Sequence, residues 1–320
     1  MKLALINDNK VEASKGAKGL CPNCGSELIA KCGEVKINHW AHKGSRNCDV
    51  WWENETEWHR TWKNTFPLEW QEVIQCDKKG EKHIADVKTQ EGYELEFQHS
   101  YLNPEERRSR NVFYQKLVWV VDGTRRKRDK IQFQRAIEQS TVETMDATRR
   151  KTDLIQFKSP RDDAVDINLP SMEIRRLDFP EECRLLKEWH DGDALVFFDF
   201  QDTKEMEESA LWLLFPKLAT DEVYVMPFSR QEFIKAHNQD TFDEIVSNTI
   251  TPKHEDIKRT LHDLIQEEQK RKESHPTNKN SWMHPDLYNL YSKLIEQKPP
   301  NTYPQTDLGM YNNRRRRKRL

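Results

Sequence analysis

Short apolar runs separated by polar turns recur along the chain, and their order predicts an α/β fold. Strands are predicted at 69–76, 84–88, 93–98 and 116–121. Helices are predicted at 51–65 and, opened by Asn103-Pro104 and two acidic residues, at 103–115. The order helix, three strands, helix, strand predicts an α/β core over residues 51–123.

The pattern changes on both sides of this core. Three later apolar runs predict strands at 194–200, 210–216 and 223–228, and helical patterns follow at 254–273 and 284–297. The predicted organisation is a metal-held module at 1–50, the core at 51–123, a charged linker or insertion at 124–180, an α+β C-terminal region at 181–300 and a basic disordered tail at 301–320.

Composition agrees with a folded protein that needs no membrane. The chain of 320 residues is only 35% hydrophobic and 33% charged, but its 10 Trp, 8 Tyr and 13 Phe residues supply large units of buried surface. No apolar run approaches the roughly 20 residues of a membrane span, and the start MKLALINDNK does not resemble a signal peptide. We therefore expect a cytoplasmic protein with no membrane contact.

Charge placement is more informative than the net charge of −2. Residues 314–319 are all Arg or Lys, so the remainder of the chain is net acidic. A basic tail on an acidic body is compatible with nucleic-acid contact through the tail. A disordered, solubilising end is the equally weighted alternative.

Four of the six cysteines lie in the first 48 residues, next to a pair of histidines. The sequence CPNCG is a Cys-x₂-Cys knuckle, and HWAH follows 14 residues later, which is typical of a tetrahedral zinc site. The predicted ligands are Cys21, Cys24, His39 and His42. Cys48 can replace one histidine, and Cys32 is a weaker alternative. A site filled by four protein ligands has no position for water, so a structural role is expected.

A pair of carboxylates on neighbouring predicted strands is the candidate catalytic site. If the strands pair around the turn at Gly92, Asp86 and Glu96 approach each other near one sheet surface. Two carboxylates held close together cost free energy unless a cation neutralises them. Mg²⁺ or Mn²⁺ would do so and could also polarise a phosphodiester.

The predicted helix at 51–65 can complete this site. Glu55, His59 and Lys63 recur every four residues and share one helix face. On an isolated helix we would expect two solvated side chains and a core histidine. Because this helix directly precedes a sheet that carries carboxylates, we assign all three residues to the site.

Four segments in this order carry a resemblance: CPNCG with NHWAH, then ENETEWHRTWK, then HIADVKT with YELEFQHS, then RSRNVFYQKLVWVVDG. Together they resemble the competence protein CoiA-like family over residues 19–123. The resemblance implies a restriction-endonuclease-like PD-(D/E)XK nuclease core with an N-terminal zinc-ribbon-like module. A weaker likeness covers 194–236, and 237–320 match nothing.

The resemblance also implies roles for individual residues. Asp86 and Glu96 would match the metal-binding acids, and Gln98 would occupy the position of the usual lysine. Residues on the following helix would contact phosphate or orient the site; these are Arg107, Arg110 and Tyr114. Simple packing is an equally weighted alternative for Tyr114.

Glutamine at position 98 weakens the nuclease interpretation without excluding it. An amide carries no charge and cannot act as a base near neutral pH, but it can orient water or donate to a phosphate oxygen. Metal-bound water needs no strong base when its own pKa is low. Lys63 or Lys88 could supply the missing positive charge, and the sequence leaves both open.

We predict an Mg²⁺- or Mn²⁺-dependent DNA endonuclease with a structural Zn²⁺ module, acting on incoming or foreign DNA in competence-linked recombination or in defence. The rival function is a non-catalytic DNA-binding or recombination adaptor on a degenerate nuclease fold. It would bind DNA through the module, the tail and the basic run that begins with Arg125 and Arg126. A recombination or defence protein partner and an oligomer are both compatible with the sequence.

Overall fold

The computed structural model describes residues 1–34, 36–44, 48–49, 51, 55–143, 173–201 and 210–274. The chain divides into two units, Met1–Thr260 and Leu261–Leu320, and only the end of one long helix is described in the second. The helix predicted at 284–297 and the basic tail lie outside the described residues. Among those residues, no helix combines the length and apolar character that crossing a membrane requires.

Strands and helices together give a mixed α/β protein with two sheets, which confirms the predicted class at that level. The strands are β1 Leu3–Ile6, β2 Asn9–Glu12, β3 Lys18–Leu20, β4 Glu27–Lys31, β5 His39–His42, β6 Gln71–Cys76, β7 Lys82–Lys88, β8 Glu94–Gln98, β9 Leu117–Asp122, β10 Thr141–Glu143, β11 Ile174–Leu177, β12 Leu195–Asp199, β13 Ala210–Leu214 and β14 Val223–Ser229. The α-helices are α1 Glu57–Lys63, α2 Pro104–Phe113, α3 Asp129–Glu138, α4 Arg184–Trp189, α5 Arg230–Asn238, α6 Phe242–Ile245 and α7 Thr251–Ser274.

The N-terminal module is a five-stranded antiparallel sheet in the order β2-β1-β3-β4-β5. Asn7 and Asp8 both have positive φ and form the two-residue turn that joins β1 to β2, as expected of such hairpins. Trp40 is buried at its centre and donates its indole N–H to the Val11 carbonyl at 2.9 Å. The five strands lie between residues 3 and 42, within the module predicted at 1–50.

A nine-stranded mixed sheet forms the larger layer, in the order β10-β11-β14-β13-β12-β9-β8-β7-β6. Its centre is parallel, because β9 pairs in parallel with both β8 and β12. A core at 51–123 and a C-terminal region at 181–300 were predicted to be separate. The structure instead joins their strands in one sheet, since β12, β13 and β14 extend it directly from β9.

Both faces of this sheet are covered. On one face, residues of α2, α3 and α4 pack against β9 and β12 in a cluster that includes Phe133, Trp119 and Trp189. An aromatic stack on β8 and α1 brings the Trp62 ring within 5.4 Å of Phe97, and Phe233 of α5 packs edge-on against Trp62 at 6.0 Å. These layers fix α1 against the middle of the sheet.

Most predicted strands match the structure to within a few residues, because apolar alternation sets them locally. The predicted helix at 51–65 is wrong over its first part, since α1 begins at Glu57 behind the N-cap Thr56. The segment 124–180 was predicted to be irregular, yet α3, β10 and β11 lie in it. The short module strands, α4 and α5 were also missed.

The buried histidine of α5 generates a prediction about pH. His237 is 0% exposed, neither ring nitrogen has a hydrogen-bond partner, and its ring stacks on Phe242 at 3.9 Å. Burial lowers the pKa of His237 to about 3. The unfolded chain takes up a proton near pH 6.5, so this histidine destabilises the fold as pH falls below that value.

We expect His237→Phe to remove that acid sensitivity. Between pH 8 and pH 5 the free energy of unfolding of the wild type should fall by about 2 kcal/mol more than that of the variant. Urea denaturation at both pH values measures the difference. An identical pH dependence in the two proteins would show that His237 is not buried in its neutral form.

Candidate functional site

The ammonium group of Lys63 lies among three carboxylates. Its Nζ is 3.2 Å from Asp86 Oδ1, 3.2 Å from Glu72 Oε1 and 3.5 Å from Glu55 Oε1. Lys63 itself is buried. Burial alone would lower the pKa of Lys63, but the three carboxylates hold this pKa well above its usual range. Lys63 is therefore a permanent countercharge at Asp86.

Glu96 stands beside Asp86 where β7 and β8 meet. The antiparallel register pairs Val87 with Leu95, which sets Asp86 opposite Glu96. The backbone N–H of Phe97 donates to Asp86 Oδ2 at 3.0 Å, so this side chain occupies the ladder position next to Glu96. The structure thus brings the two predicted acids together on neighbouring strands.

Glu96 has one satisfied oxygen and one that lacks a partner. Arg110 Nη1 donates to Oε2 at 2.8 Å, whereas Oε1 is buried with no hydrogen-bond partner. Burial raises the pKa of Glu96 to about 8; Arg110 opposes this rise and Asp86 adds to it. A buried carboxylate oxygen without a donor is costly unless a cation or a proton occupies the space beside it.

Helix α1 presents Lys63 and, one turn before it, His59, but it does not include Glu55 as predicted. Glu55 precedes the helix, because Thr56 is its N-cap, and Glu55 reaches Lys63 from outside the first turn. His59 completes a capping box with Thr56, and its ring lies 5.9 Å from that of His99. The predicted common helix face is therefore wrong for Glu55, and His59 is committed to the cap.

Gln98 lies buried at the end of β8, and strand alternation gives it the same face as Glu96. Its Nε2 donates to the carbonyl and the hydroxyl of Ser100 at 3.2 and 3.3 Å. Of the two lysines considered as substitutes for the missing charge, Lys63 contacts Asp86, whereas Lys88 pairs with Glu94 at 2.9 Å.

The oxygen donors fit an ion that keeps much of its water shell. Mg²⁺ is held by one or two carboxylates together with several waters. The Asp86–Glu96 pair can provide the carboxylates. In the part of the chain that the structure describes, these acids do not form a compact set of three. The one group whose ligand atoms all lie within 4.8 Å of one another consists of cysteines and a histidine.

That group is Cys21, Cys24, His42 and Cys48 of the module. The Sγ atoms of Cys21 and Cys48 are 3.4 Å apart, and Cys24 Sγ is 3.4 Å from His42 Nε2. Sulfur atoms in a tetrahedral zinc site lie roughly 3.8 Å apart, because each Zn–S bond is about 2.3 Å long. This Cys₃His group can therefore hold a metal ion such as zinc.

Cys48, and not His39, supplies the fourth ligand. Residues 39 and 42 lie on one strand, and positions three apart on a strand point to opposite faces. His39 Nδ1 instead lies 2.9 Å from the Ile37 carbonyl. Cys32 also lies outside the group and packs against the apolar core of the module.

Local hydrogen bonds favour the thiolate of Cys24. Burial alone would raise its pKa, but hydrogen bonds with Ser26 and His42 lower the pKa of Cys24 to about 6. Because thiolates are the metal-binding form of cysteine, part of the ligand set is prepared for a cation at neutral pH.

Residues 4–51 match the family model described as competence protein CoiA, N-terminal domain. The chain carries a CoiA N-terminal domain. The match covers nearly all of the five-stranded sheet and all four residues of the Cys₃His group, and it confirms the resemblance to the CoiA-like family for this part of the chain. No curated protein and no solved structure matches the chain. The carboxylate site lies beyond the CoiA N-terminal domain.

The residues predicted to contact nucleic acid mostly face protein groups. Arg107 pairs with Asp191, Arg125 with Glu188, and Arg126 with both Asp129 and Glu188. Arg110 is buried against Glu96, and Tyr114 is buried against Trp51 and Phe113. Their contact with phosphate stays a prediction, and these ion pairs do not favour it.

Sequence reasoning missed two carboxylates that connect the CoiA N-terminal domain to the core. Glu72 accepts the backbone N–H groups of Lys2 and Leu3 at 2.6 and 2.8 Å, and Asp49 accepts that of Ile84 at 2.9 Å. Glu72 sits in a strand with a φ of +48°, which no local pattern indicates. For Asp49, its position next to Cys48 was the available signal.

The ligand assignment predicts different metal contents for two variants. Cys48→Ala should lose most of its bound zinc, whereas His39→Ala should retain about one zinc per chain. Cys76→Ala, which changes an exposed cysteine outside the group, is the matched control. Elemental analysis of the purified proteins measures this. The assignment would be wrong if His39→Ala lost zinc and Cys48→Ala did not.

The charge cluster predicts an unequal effect of two lysine substitutions. Lys63→Met should lower the free energy of unfolding at pH 7 by about 3 kcal/mol, because it leaves buried carboxylates without a countercharge. Lys88→Met removes a partly exposed pair and should cost about 1 kcal/mol or less. Urea denaturation compares them, and equal losses would contradict a buried cluster around Lys63.

Proposed function

We propose that the chain is a metal-dependent DNA endonuclease on a PD-(D/E)XK-like core, with a structural zinc ion in its CoiA N-terminal domain. The observation that carries the proposal is the carboxylate pair where β7 and β8 meet, with Lys63 beside it. Asp86 and Glu96 lie on neighbouring strands, and the buried Oε1 of Glu96 has no donor. An ammonium group touches Asp86 at 3.2 Å.

Asp86 and Glu96 would hold Mg²⁺ or Mn²⁺ between the two strands. The bound ion would polarise a phosphodiester and lower the pKa of an attacking water. Lys63, which contacts Asp86 at 3.2 Å, would add positive charge beside a phosphate, and this is the contribution that Gln98 cannot make. Gln98, which shares the face of Glu96, would donate an amide N–H to water or to a phosphate oxygen.

Arg110 would hold Glu96 in place. It donates to Glu96 Oε2 at 2.8 Å and to the Trp51 carbonyl at 2.6 Å, so Oε1 is the oxygen left for a cation. The Cys₃His group would take zinc in a closed, four-ligand site that contributes stability rather than catalysis. The likeness to the CoiA-like family supports incoming or foreign DNA as the substrate of the proposed activity, in recombination or defence.

A non-catalytic DNA-binding or adaptor role is the second candidate. Two observations favour this adaptor role: Lys63 already neutralises Asp86, and position 98 is glutamine rather than lysine. Under this alternative Asp86 and Lys63 would serve only as a buried ion pair, and substitution of the acids would leave DNA binding unchanged.

The deciding experiment is cleavage of supercoiled plasmid and of single-stranded circular DNA with Mg²⁺, Mn²⁺ or EDTA. Asp86→Asn and Glu96→Gln should each lower metal-dependent cleavage by about 100-fold or more, because each removes a charged metal ligand. Asp256→Asn, the same change at an exposed ion pair on α7, should leave the rate unchanged. DNA binding without cleavage by the wild type would support the adaptor role instead.

A further inference from the structure

The short segment after the metal ligand Cys48 makes direct contact with the strand that carries Asp86. Asp49 uses both carboxylate oxygens: Oδ2 accepts the Ile84 backbone N–H at 2.9 Å, and Oδ1 bonds His83 Nδ1 at 2.9 Å. Ile84 and Asp86 are two positions apart on β7. Asp49 therefore hydrogen-bonds this strand two residues before Asp86, the candidate catalytic residue.

A second contact from the same segment leads to Glu96. The Trp51 carbonyl accepts Arg110 Nη2 at 2.6 Å, and Arg110 Nη1 binds Glu96 Oε2 at 2.8 Å. The Trp51 ring stacks on His83 with ring centroids 3.2 Å apart, and the Arg110 guanidinium lies 5.4 Å from the same ring. Trp51 is therefore held between the partner of Asp49 and the partner of Glu96.

The origin of this segment is fixed at the Cys₃His group. Cys48 is one of its four ligands, and the Cys48 carbonyl accepts Asn23 Nδ2 of the Cys-x₂-Cys knuckle at 3.0 Å. Ile84 also packs against the apolar core of the module. A metal ion bound by Cys48 would therefore hold one end of a chain of contacts that ends at both carboxylates.

We propose that Asp49 and Trp51 are positioning residues, through which metal binding at Cys48 sets the separation of Asp86 and Glu96. Loss of the ion would free Cys48 and weaken the Asp49 hold on β7 and the Trp51 hold on Arg110. The consequence for catalysis rests on the proposed nuclease function, whereas the mechanical link does not.

The link can be measured by hydrogen exchange on the full chain, with its zinc and after zinc is removed by a chelator. We expect zinc removal to speed exchange in peptides covering 82–88 and 94–98, because the Ile84 amide and its strand lose their restraint. Peptides covering 210–229, on the far side of the sheet, should keep their protection. Unchanged exchange at 82–98 would overturn the proposal.

Two matched acid-to-amide variants separate the link from general damage to the module. Asp49→Asn should retain about one zinc per chain and yet show the same faster exchange at 82–88. Glu27→Gln changes a surface pair with Lys43 on the same module and should match the wild type. Equal exchange in the two variants would also overturn the proposal.

The affinity for Mn²⁺, measured by calorimetry, would not change if Asp49 had a purely structural role. Asp49→Asn should weaken Mn²⁺ binding by about tenfold, because the strand that carries Asp86 loses its restraint, whereas Glu27→Gln should not. Faster exchange with unchanged Mn²⁺ affinity would reduce Asp49 to a structural residue. If the wild type binds no Mn²⁺, the nuclease proposal fails and hydrogen exchange alone decides the positioning role.

Discussion

The candidate site depends on the ion pairs that the buried ammonium group of Lys63 makes with three carboxylates. This ammonium group gathers Glu55, Glu72 and Asp86 from a loop and two strands, and these acids could not lie so close to one another without its charge. Helix α1 can present Lys63 only because it is fixed to the sheet: the indole N–H groups of Trp58 and Trp62 both donate to Asp199 Oδ2. Asp199 is itself neutralised by Arg230, so one buried ion pair supports the other.

The large sheet has two polar regions, one at the carboxyl ends of its parallel strands and one where β7 and β8 meet, and they differ in chemistry. At the carboxyl ends of the parallel strands, where α/β proteins commonly bind ligands, Asp122 and Asp199 are already engaged by His99 and Arg230. At the junction of β7 and β8, by contrast, one oxygen of Glu96 remains without a donor. This unsatisfied carboxylate oxygen lies at the antiparallel side of the core. The N-terminal module also contacts this side: its Asp49 accepts the Ile84 backbone N–H, and its Lys2 backbone N–H donates to Glu72 of β6.

Local patterns were sufficient for the elements whose side chains alternate or recur strongly. The strands β7 and β8 follow from alternation and β9 and β12 from short apolar runs, and the approach of Asp86 to Glu96 follows from the pairing of β7 with β8 around Gly92. The same alternation would have excluded His39 from the zinc ligands, had the HWAH segment been treated as a strand. The error at Glu55 has a similar origin: Thr56 is a good N-cap, so the helix begins at Glu57 and leaves Glu55 outside it.

The sequence by itself determined the class of fold, the knuckle that begins the metal group and the pair of acids, because each depends on residues close together in the chain. Only the tertiary structure decided that Cys48 replaces His39, that Glu72 shares Lys63 with Asp86, and that strands on both sides of residues 124–180 form one sheet. These contacts join residues far apart in sequence, or across a turn whose geometry no local preference fixes. Their free energy comes from neutralising buried charge and completing hydrogen bonds, and those terms exist only once the partners have been brought together.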